Sequence, residues 1–123
     1  MPKHVLLIED KPEQLKRWAE EFDCLYEGLY SVVCANSEEQ AMEVFPQQQW
    51  DAVVIDGCLD GDNFDSPPLI RWLKERVKPG VPLIAASSNE ELMGLMKDEG
   101  CTHSAFKKSH APGIVHSILR RQT

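Results

Sequence analysis

AVVIDGCLDG, residues 52–61, is the stretch that decides the fold. Its first four residues are apolar, three of them are β-branched, and the run ends abruptly in Asp56. β-branched residues favour strands, and an apolar run without alternation is typical of a strand that is buried on both faces. The glycines and the second aspartate that follow indicate a loop. Burying a charged carboxylate is costly, so Asp56 at the end of a buried strand suggests a specific role for this residue.

The same pattern recurs along the chain, because short apolar runs alternate with amphipathic stretches of helical periodicity. Strands are predicted at His4–Ile8, Tyr30–Ala35, Ala52–Ile55, Leu83–Ala86 and Ser104–Phe106. Helices are predicted from about Pro12 to Phe22, after Ser37, from Pro67-Pro68, after Ser88 and after Pro112. This alternation predicts an α/β fold in which five helices flank a doubly wound, five-stranded parallel sheet.

Two of the predicted helices open with capping-box patterns, Ser37–Gln40 and Ser88–Glu91. In this pattern the first side chain accepts a hydrogen bond from a backbone N–H of the first helical turn. Apolar residues at three- and four-residue steps then predict the buried face. For the helix after Ser88, that face would hold Leu92, Leu95 and Met96.

Length and composition predict one domain, residues 1–123, with a core of its own. The formal charge of −7 would repel nucleic-acid phosphates, and no apolar run is long enough for a membrane span or a signal peptide. We therefore expect a cytoplasmic protein that binds neither nucleic acid nor membrane. The four widely spaced cysteines predict reduced thiols. Cys101 and His103 fall short of the four ligands of a structural zinc site.

Polar side chains follow four of the predicted strands. In chain order they are Glu9 and Asp10, then Asp56, then Ser87, then Lys107 and Lys108. The carboxyl ends of strands in an open parallel sheet border one crevice, so these groups should converge. Clustered carboxylates repel one another unless a cation neutralises them, and Mg²⁺ prefers such ligands together with a phosphate oxygen. The set predicts phosphoryl transfer with Asp56 as the nucleophile.

In order and spacing, the chain resembles the receiver domain of bacterial response regulators over nearly its whole length. VLLIED (residues 5–10) looks like the family's first strand with its acidic pair, and VVID (53–56) like the third strand with the phospho-accepting aspartate. LIAAS (83–87) is similar to the fourth strand with its hydroxyl, and FKK (106–108) to the lysine motif of the fifth. The resemblance implies a flavodoxin-like fold.

The resemblance also implies how the domain works. Asp56 would accept a phosphoryl group from a histidine kinase or a phosphotransfer protein, and Ser87 and Lys107 would contact its oxygens. Lys107 is preferred because it lies seven residues after Gly100, the usual interval in the family. We expect a stand-alone receiver, with no output domain after the fifth helix, that signals to a downstream protein through its fourth and fifth helices and the strand between them. The sequence leaves open whether the domain forms a homodimer.

A ligand set for Mg²⁺ follows from the same resemblance. Asp10 would bind the ion directly, Glu9 would act mainly through water, and Asp56 would share the ion with the phosphoryl group. The backbone carbonyl of Cys58, two residues past the acceptor, would complete the protein ligands.

The chain departs from the family pattern at three positions. Asp60 and Lys108 stand where the family usually has prolines, and Ser104 stands where it often has a switching aromatic residue. The proline after the lysine often follows a cis peptide bond, which costs about 2.5–4 kcal/mol before any other residue. A trans bond here would aim Lys107 differently. Phe106 shares the face of Ser104 by strand alternation, and core packing is its simpler role.

Two other functions fit parts of the pattern. A pseudo-receiver that docks to a protein without phosphorylation would explain the departures at positions 60, 104 and 108. A phosphohydrolase of the haloacid-dehalogenase type also starts from an aspartate at a strand end. That family needs a second aspartate two residues later, where this chain has Cys58. Uptake of a phosphoryl group from acetyl phosphate would favour the receiver over both alternatives.

Overall fold

A computed structural model describes residues 2–59 and 65–121, and this part of the chain forms one five-stranded parallel sheet. The strands are β1 Lys3–Ile8, β2 Tyr30–Ala35, β3 Ala52–Asp56, β4 Leu83–Ala86 and β5 His103–Ala105. Their order across the sheet is β2-β1-β3-β4-β5, and each neighbouring pair is parallel. The predicted flavodoxin-like fold is confirmed, with β5 one residue earlier than expected.

The connections between strands are helical. The helices are α1 Pro12–Leu25, α2 Glu38–Val44, α3 Pro67–Arg76, α4 Glu90–Glu99 and α5 Ala111–Arg121. Short 3-10 turns lie at Phe45–Gln47, after α2, and at Lys108–His110, before α5. Buried residues of α1 and α5 pack on one face of the sheet, and those of α2, α3 and α4 pack on the other. This is the doubly wound arrangement.

Two apolar layers form the core, one on each face of the sheet. In β1, Leu6 and Ile8 pack beneath α2, α3 and α4, whereas Val5 and Leu7 pack beneath α1 and α5. The strands β1, β3 and β4 are covered on both faces, which explains why each contains an unbroken apolar run, Val5–Ile8, Ala52–Ile55 and Leu83–Ala86.

The first residues of α2 and α4 test the predicted capping boxes. The Ser37 hydroxyl accepts the Gln40 N–H at 3.0 Å, so the first prediction is confirmed. The second was wrong by one residue, because Asn89 is the cap of α4 and its side chain accepts the Leu92 N–H at 2.9 Å. Ser88 is exposed.

Two apolar side chains differ from the prediction. Leu95 is 43% exposed, and Met93 is buried in its place beside Leu92 and Met96. Phe106 is 54% exposed, because β5 ends at Ala105 and the chain leaves the sheet there. The core-packing role expected for Phe106 was therefore wrong.

Three further predictions concern the cysteines, membrane-spanning segments and Asp60. None of the four cysteines, all of which lie within the described ranges, is in a disulfide, in agreement with the predicted reduced thiols. Within the described ranges, no helix has both the length and the apolar character needed to cross a membrane. Asp60, one of the three predicted departures from the family pattern, lies outside the described residues.

Candidate functional site

The strand order creates a crevice between β1 and β3. Helix α1 follows β1 on one face of the sheet, and α3 follows β3 on the other, so the two connections part at this point. Such a topological switch point is where open α/β sheets bind ligands. The register pairs Ile8 with Ile55, so Glu9 and Asp56 follow as neighbours at the carboxyl edge.

Three carboxylates meet in this crevice. One oxygen from each of Glu9, Asp10 and Asp56 lies within 4.8 Å of the others. The Glu9 and Asp56 side chains are almost completely buried, and Asp10 is half-buried. The structure thus brings together the acidic residues that the sequence placed at strand ends.

A lysine ammonium contacts two of these carboxylates, and it belongs to Lys108. Its Nζ lies 2.9 Å from Glu9 Oε2 and 3.0 Å from Asp56 Oδ1. Lys107, which was predicted for this position, is exposed. The residue in contact with Asp56 therefore differs by one from the prediction.

The one-residue difference follows from where β5 ends. Lys107 has an extended backbone (φ −120°, ψ 129°), and the 3-10 turn starts at Lys108. Successive side chains of an extended segment point in opposite directions, so a shift of one residue changes which lysine faces the crevice. No cis peptide bond occurs in the described ranges, so the Lys107–Lys108 bond is trans.

Ser87 directly follows β4 and lies beside Asp56, because β4 pairs Ala86 with Asp56. Ser87 is buried, and its hydroxyl oxygen accepts the Asn89 N–H at 3.1 Å. The hydroxyl hydrogen remains as a donor. Cys58 is half-buried in the loop after Asp56, and the ligand role of its carbonyl stays a prediction.

Burial and crowding change the acidity of the carboxyl groups. Burial, followed by the charge of Asp56, raises the pKa of Glu9 from 4.5 to about 7. Burial also raises the pKa of Asp56, although the hydrogen bond and the positive charge of Lys108 oppose the rise. One ammonium therefore compensates only part of the cost of burying these carboxylates together.

Lys108 itself stays charged. Burial acts to lower the pKa of Lys108, but its hydrogen bonds and charge interactions with Glu9 and Asp56 outweigh burial and raise the pKa above 10.5. A lysine held in this way is a fixed positive charge next to the candidate nucleophile.

The donor set fits a hard divalent cation. Three carboxylates within 4.8 Å of one another supply the oxygen ligands that Mg²⁺ prefers. The raised pKa values of Glu9 and Asp56 show that more positive charge nearby would stabilise their ionised forms. The Lys108 ammonium contacts two of the same residues. The crevice can therefore hold positive charge either as this ammonium or as a metal ion.

Trp18 is a further neighbour of the site. It is buried in α1, and its indole Nε1–H donates to the Lys108 carbonyl at 2.7 Å. The only signal in the sequence was that a buried indole usually finds an acceptor, which does not say which one.

The chain resembles known proteins in its structure but not in its sequence. No protein-family model matches the chain, and no curated protein sequence matches it. Among similar solved structures is the signal receiver domain of an HD domain-containing protein from Pseudomonas fluorescens, with a TM-score of 0.79 and 17% identity over 99% of this chain and 98% of the other.

Two further solved structures are similar over nearly their whole length. A response regulator receiver domain from Methylobacillus flagellatus has a TM-score of 0.77 and 20% identity, over 96% of this chain and 99% of the other. The receiver domain of a sensor histidine kinase from Pseudomonas aeruginosa has a TM-score of 0.77 and 21% identity, over 98% and 99%. That receiver domain holds a magnesium ion in its active site cleft. This chain has the fold of response-regulator receiver domains.

Proposed function

We propose that the protein is a phospho-accepting receiver domain that takes a phosphoryl group on Asp56 and signals through protein contacts. The observation that carries the proposal is the meeting of Glu9, Asp10, Asp56 and Lys108 at the switch point of the sheet. A buried carboxylate beside an ammonium and the acidic pair Glu9–Asp10 is weak evidence for a stabilising role, because well-packed apolar residues often stabilise a fold as well or better. A phosphoryl-transfer site does need each of these groups.

The reaction starts at an Asp56 carboxylate oxygen. This oxygen forms a bond to phosphorus while the P–N bond of a phosphohistidine donor breaks, and the electron pair of that bond returns to the ring nitrogen. Lys108 stabilises the negative charge of the transferring group, because its ammonium already lies 3.0 Å from Asp56. The Ser87 hydroxyl donates to a phosphoryl oxygen.

Magnesium is the expected cofactor. Asp10 and Asp56 would hold the ion, with Glu9 acting on it mainly through water and the Cys58 carbonyl as a further ligand. When bound, the ion supplies positive charge that offsets the carboxylates and the transferring phosphoryl group. The domain is then a signalling module whose partners are a histidine kinase or phosphotransfer protein and a downstream protein. The exposed Leu95 of α4 and the exposed Phe106 after β5 belong to the surface predicted to meet that target.

Incubation with acetyl phosphate and Mg²⁺, followed by intact mass measurement, tests the proposal. We expect one phosphoryl group per chain, stable in acid and lost in base, as acyl phosphates are. Asp56→Asn should remove it, and chelation of Mg²⁺ should slow it strongly. Asp51→Asn, which changes an aspartate just before the same strand, is the matched control and should leave it unchanged. Absence of the group from the unmodified protein, or its persistence in Asp56→Asn, would contradict the proposal.

A pseudo-receiver that docks without phosphorylation is the second candidate. The Lys108 ammonium favours it, because that charge contacts both Glu9 and Asp56 and so neutralises part of the acidic cluster by itself. A phosphohydrolase would instead release phosphate from a small phosphomonoester continuously. Mass measurement with several phosphodonors, together with a phosphate-release assay, separates these two outcomes from stable uptake.

A further inference from the structure

A hydrogen bond joins helix α1 to the lysine of the site. The Trp18 indole Nε1–H donates to the Lys108 backbone carbonyl at 2.7 Å. Trp18 is 1% exposed, in the layer between α1, α5 and the sheet. The two residues are 90 positions apart in sequence, so this bond is a tertiary link between α1 and the segment that enters α5.

The accepting carbonyl lies at the point that sets the direction of the lysine side chain. It begins the Lys108–His110 turn and also accepts the Ala111 N–H, so two donors fix its orientation. The backbone carbonyl group and the side chain of Lys108 are both attached to its α-carbon. Holding the carbonyl of Lys108 therefore restricts where its ammonium can lie.

We propose that Trp18 is a positioning residue that keeps the Lys108 ammonium between Glu9 and Asp56. In that position the ammonium contacts the acceptor carboxylate and competes with a divalent cation for the same acidic residues. The inference rests on the proposed function for its phosphorylation step alone, because the competition with a cation concerns the unphosphorylated protein.

The link predicts two opposite effects when the indole donor is removed. Trp18→Phe keeps an aromatic ring in the core and loses the N–H. The Lys108 turn then gains freedom, so the ammonium leaves the carboxylates more easily and Mg²⁺ binds more tightly. Phosphoryl transfer becomes slower, because the ammonium is less often at Asp56. General damage to the fold would weaken both properties together.

The chain offers a matched control in Trp50. This residue is also buried, and its indole N–H also donates to a backbone carbonyl, that of Phe45 at 2.9 Å. It packs in the layer beneath α2, α3 and α4, on the other face of the sheet from Trp18. Trp50→Phe therefore removes the same atoms and the same kind of bond without touching the lysine segment.

The test measures the Mg²⁺ dissociation constant of the unphosphorylated full chain by calorimetry and the rate of phosphorylation from acetyl phosphate at saturating Mg²⁺. For Trp18→Phe we expect the dissociation constant to fall by about two- to tenfold and the rate to fall by a similar factor, the range of one hydrogen bond. Trp50→Phe should change neither by more than about twofold. Lys108→Met should also bind Mg²⁺ more tightly and be phosphorylated more slowly. Adding Trp18→Phe to Lys108→Met should change neither quantity further.

Three results would overturn the inference: weaker Mg²⁺ binding in Trp18→Phe, no change in it, or the same split in Trp50→Phe. If the unmodified protein takes up no phosphoryl group, the proposed function fails, and the Mg²⁺ constants alone decide the inference. If Trp18→Phe does not fold, NMR of the unmodified protein decides instead. Mg²⁺ should then shift the indole N–H resonance of Trp18 and not that of Trp50, and equal shifts would refute the link.

Discussion

The carboxylates at the two ends of the parallel strands have different partners. We call the amino-terminal ends of the strands the amino edge and the carboxyl-terminal ends the carboxyl edge. At the amino edge, the Asp51 carboxylate accepts the His4 N–H at 2.8 Å, and the Asp51 N–H donates to the His4 carbonyl at 2.8 Å. At the carboxyl edge, Glu9 and Asp56 are buried and share one ammonium. A carboxylate that receives a backbone N–H stabilises the fold, whereas carboxylates crowded around one cation cost stability and can serve chemistry.

The largest expected difference is between two neighbouring lysines. Lys108→Ala should slow phosphorylation from acetyl phosphate by about tenfold or more, because the ammonium that contacts the acceptor is lost. Lys107→Ala should stay within about twofold, because that side chain is exposed. Time courses of intact mass for both variants measure this. Equal effects, or a larger effect at Lys107, would show that the wrong lysine has been assigned.

The backbone directly after Asp56 should be intolerant of a larger side chain. A Cβ on Gly57 would clash with the Leu92 side chain, which is buried at the start of α4. Gly57→Ala should therefore lower the free energy of unfolding by about 1–3 kcal/mol in a denaturant titration.

Gly94 provides the control for this substitution, because it is exposed in α4 and a Cβ there would have no neighbour within 4 Å. Gly94→Ala should raise the free energy of unfolding by up to about 1 kcal/mol. Equal losses of stability at both glycines would contradict the tight contact between Gly57 and α4.

Glu9 should make the carboxyl edge sensitive to pH. An unfolded chain releases the Glu9 proton near the ordinary value of 4.5, whereas the folded protein keeps it until a pH of about 7. Between these values the folded state binds more protons, so the free energy of unfolding should fall as the pH rises, by about 1–3 kcal/mol.

Glu9→Gln cannot ionise and should reduce this fall. It should not abolish it, since burial also raises the pKa of Asp56 and that group acts in the same direction. Denaturant titrations in metal-free buffer across this range measure the slope. A stability that rises with pH in the unmodified protein would contradict the electrostatics assigned to the site.

The smallest effect is expected at the amino edge. Asp51→Ala removes the acceptor of the His4 N–H and should lower the free energy of unfolding by about 1 kcal/mol. Phosphorylation should continue at the original rate, because this edge lies at the opposite end of the strands. A slowed reaction would mean that the two edges are coupled.

Local patterns were sufficient to predict the sheet and the acidic half of the site. Strands buried on both faces leave unbroken apolar runs, as in Val53–Ile55. The topology of a parallel sheet then brings their carboxyl ends together, so Glu9, Asp10 and Asp56 could be assigned from position alone.

The cationic half could not be predicted in the same way. Strand β5 is a short edge strand, His103–Ala105, and no apolar run marks its end. Which lysine side chain enters the crevice depends on where β5 ends. It also depends on the hydrogen bond from Trp18 to the Lys108 carbonyl, which joins distant parts of the chain. The fourth helix was similarly misjudged at Leu95, where the buried face holds two adjacent residues, Leu92 and Met93.

The most direct measurement identifies the atom that carries the phosphoryl group. Borohydride reduces an acyl phosphate to an alcohol, so treating the phosphorylated protein should convert the modified aspartate to homoserine. Peptide mass spectrometry should then find homoserine at position 56 alone. Homoserine at another position, or no reduction product from a protein that has taken up a phosphoryl group, would contradict the central claim that the crevice between β1 and β3 delivers Asp56 as the acceptor.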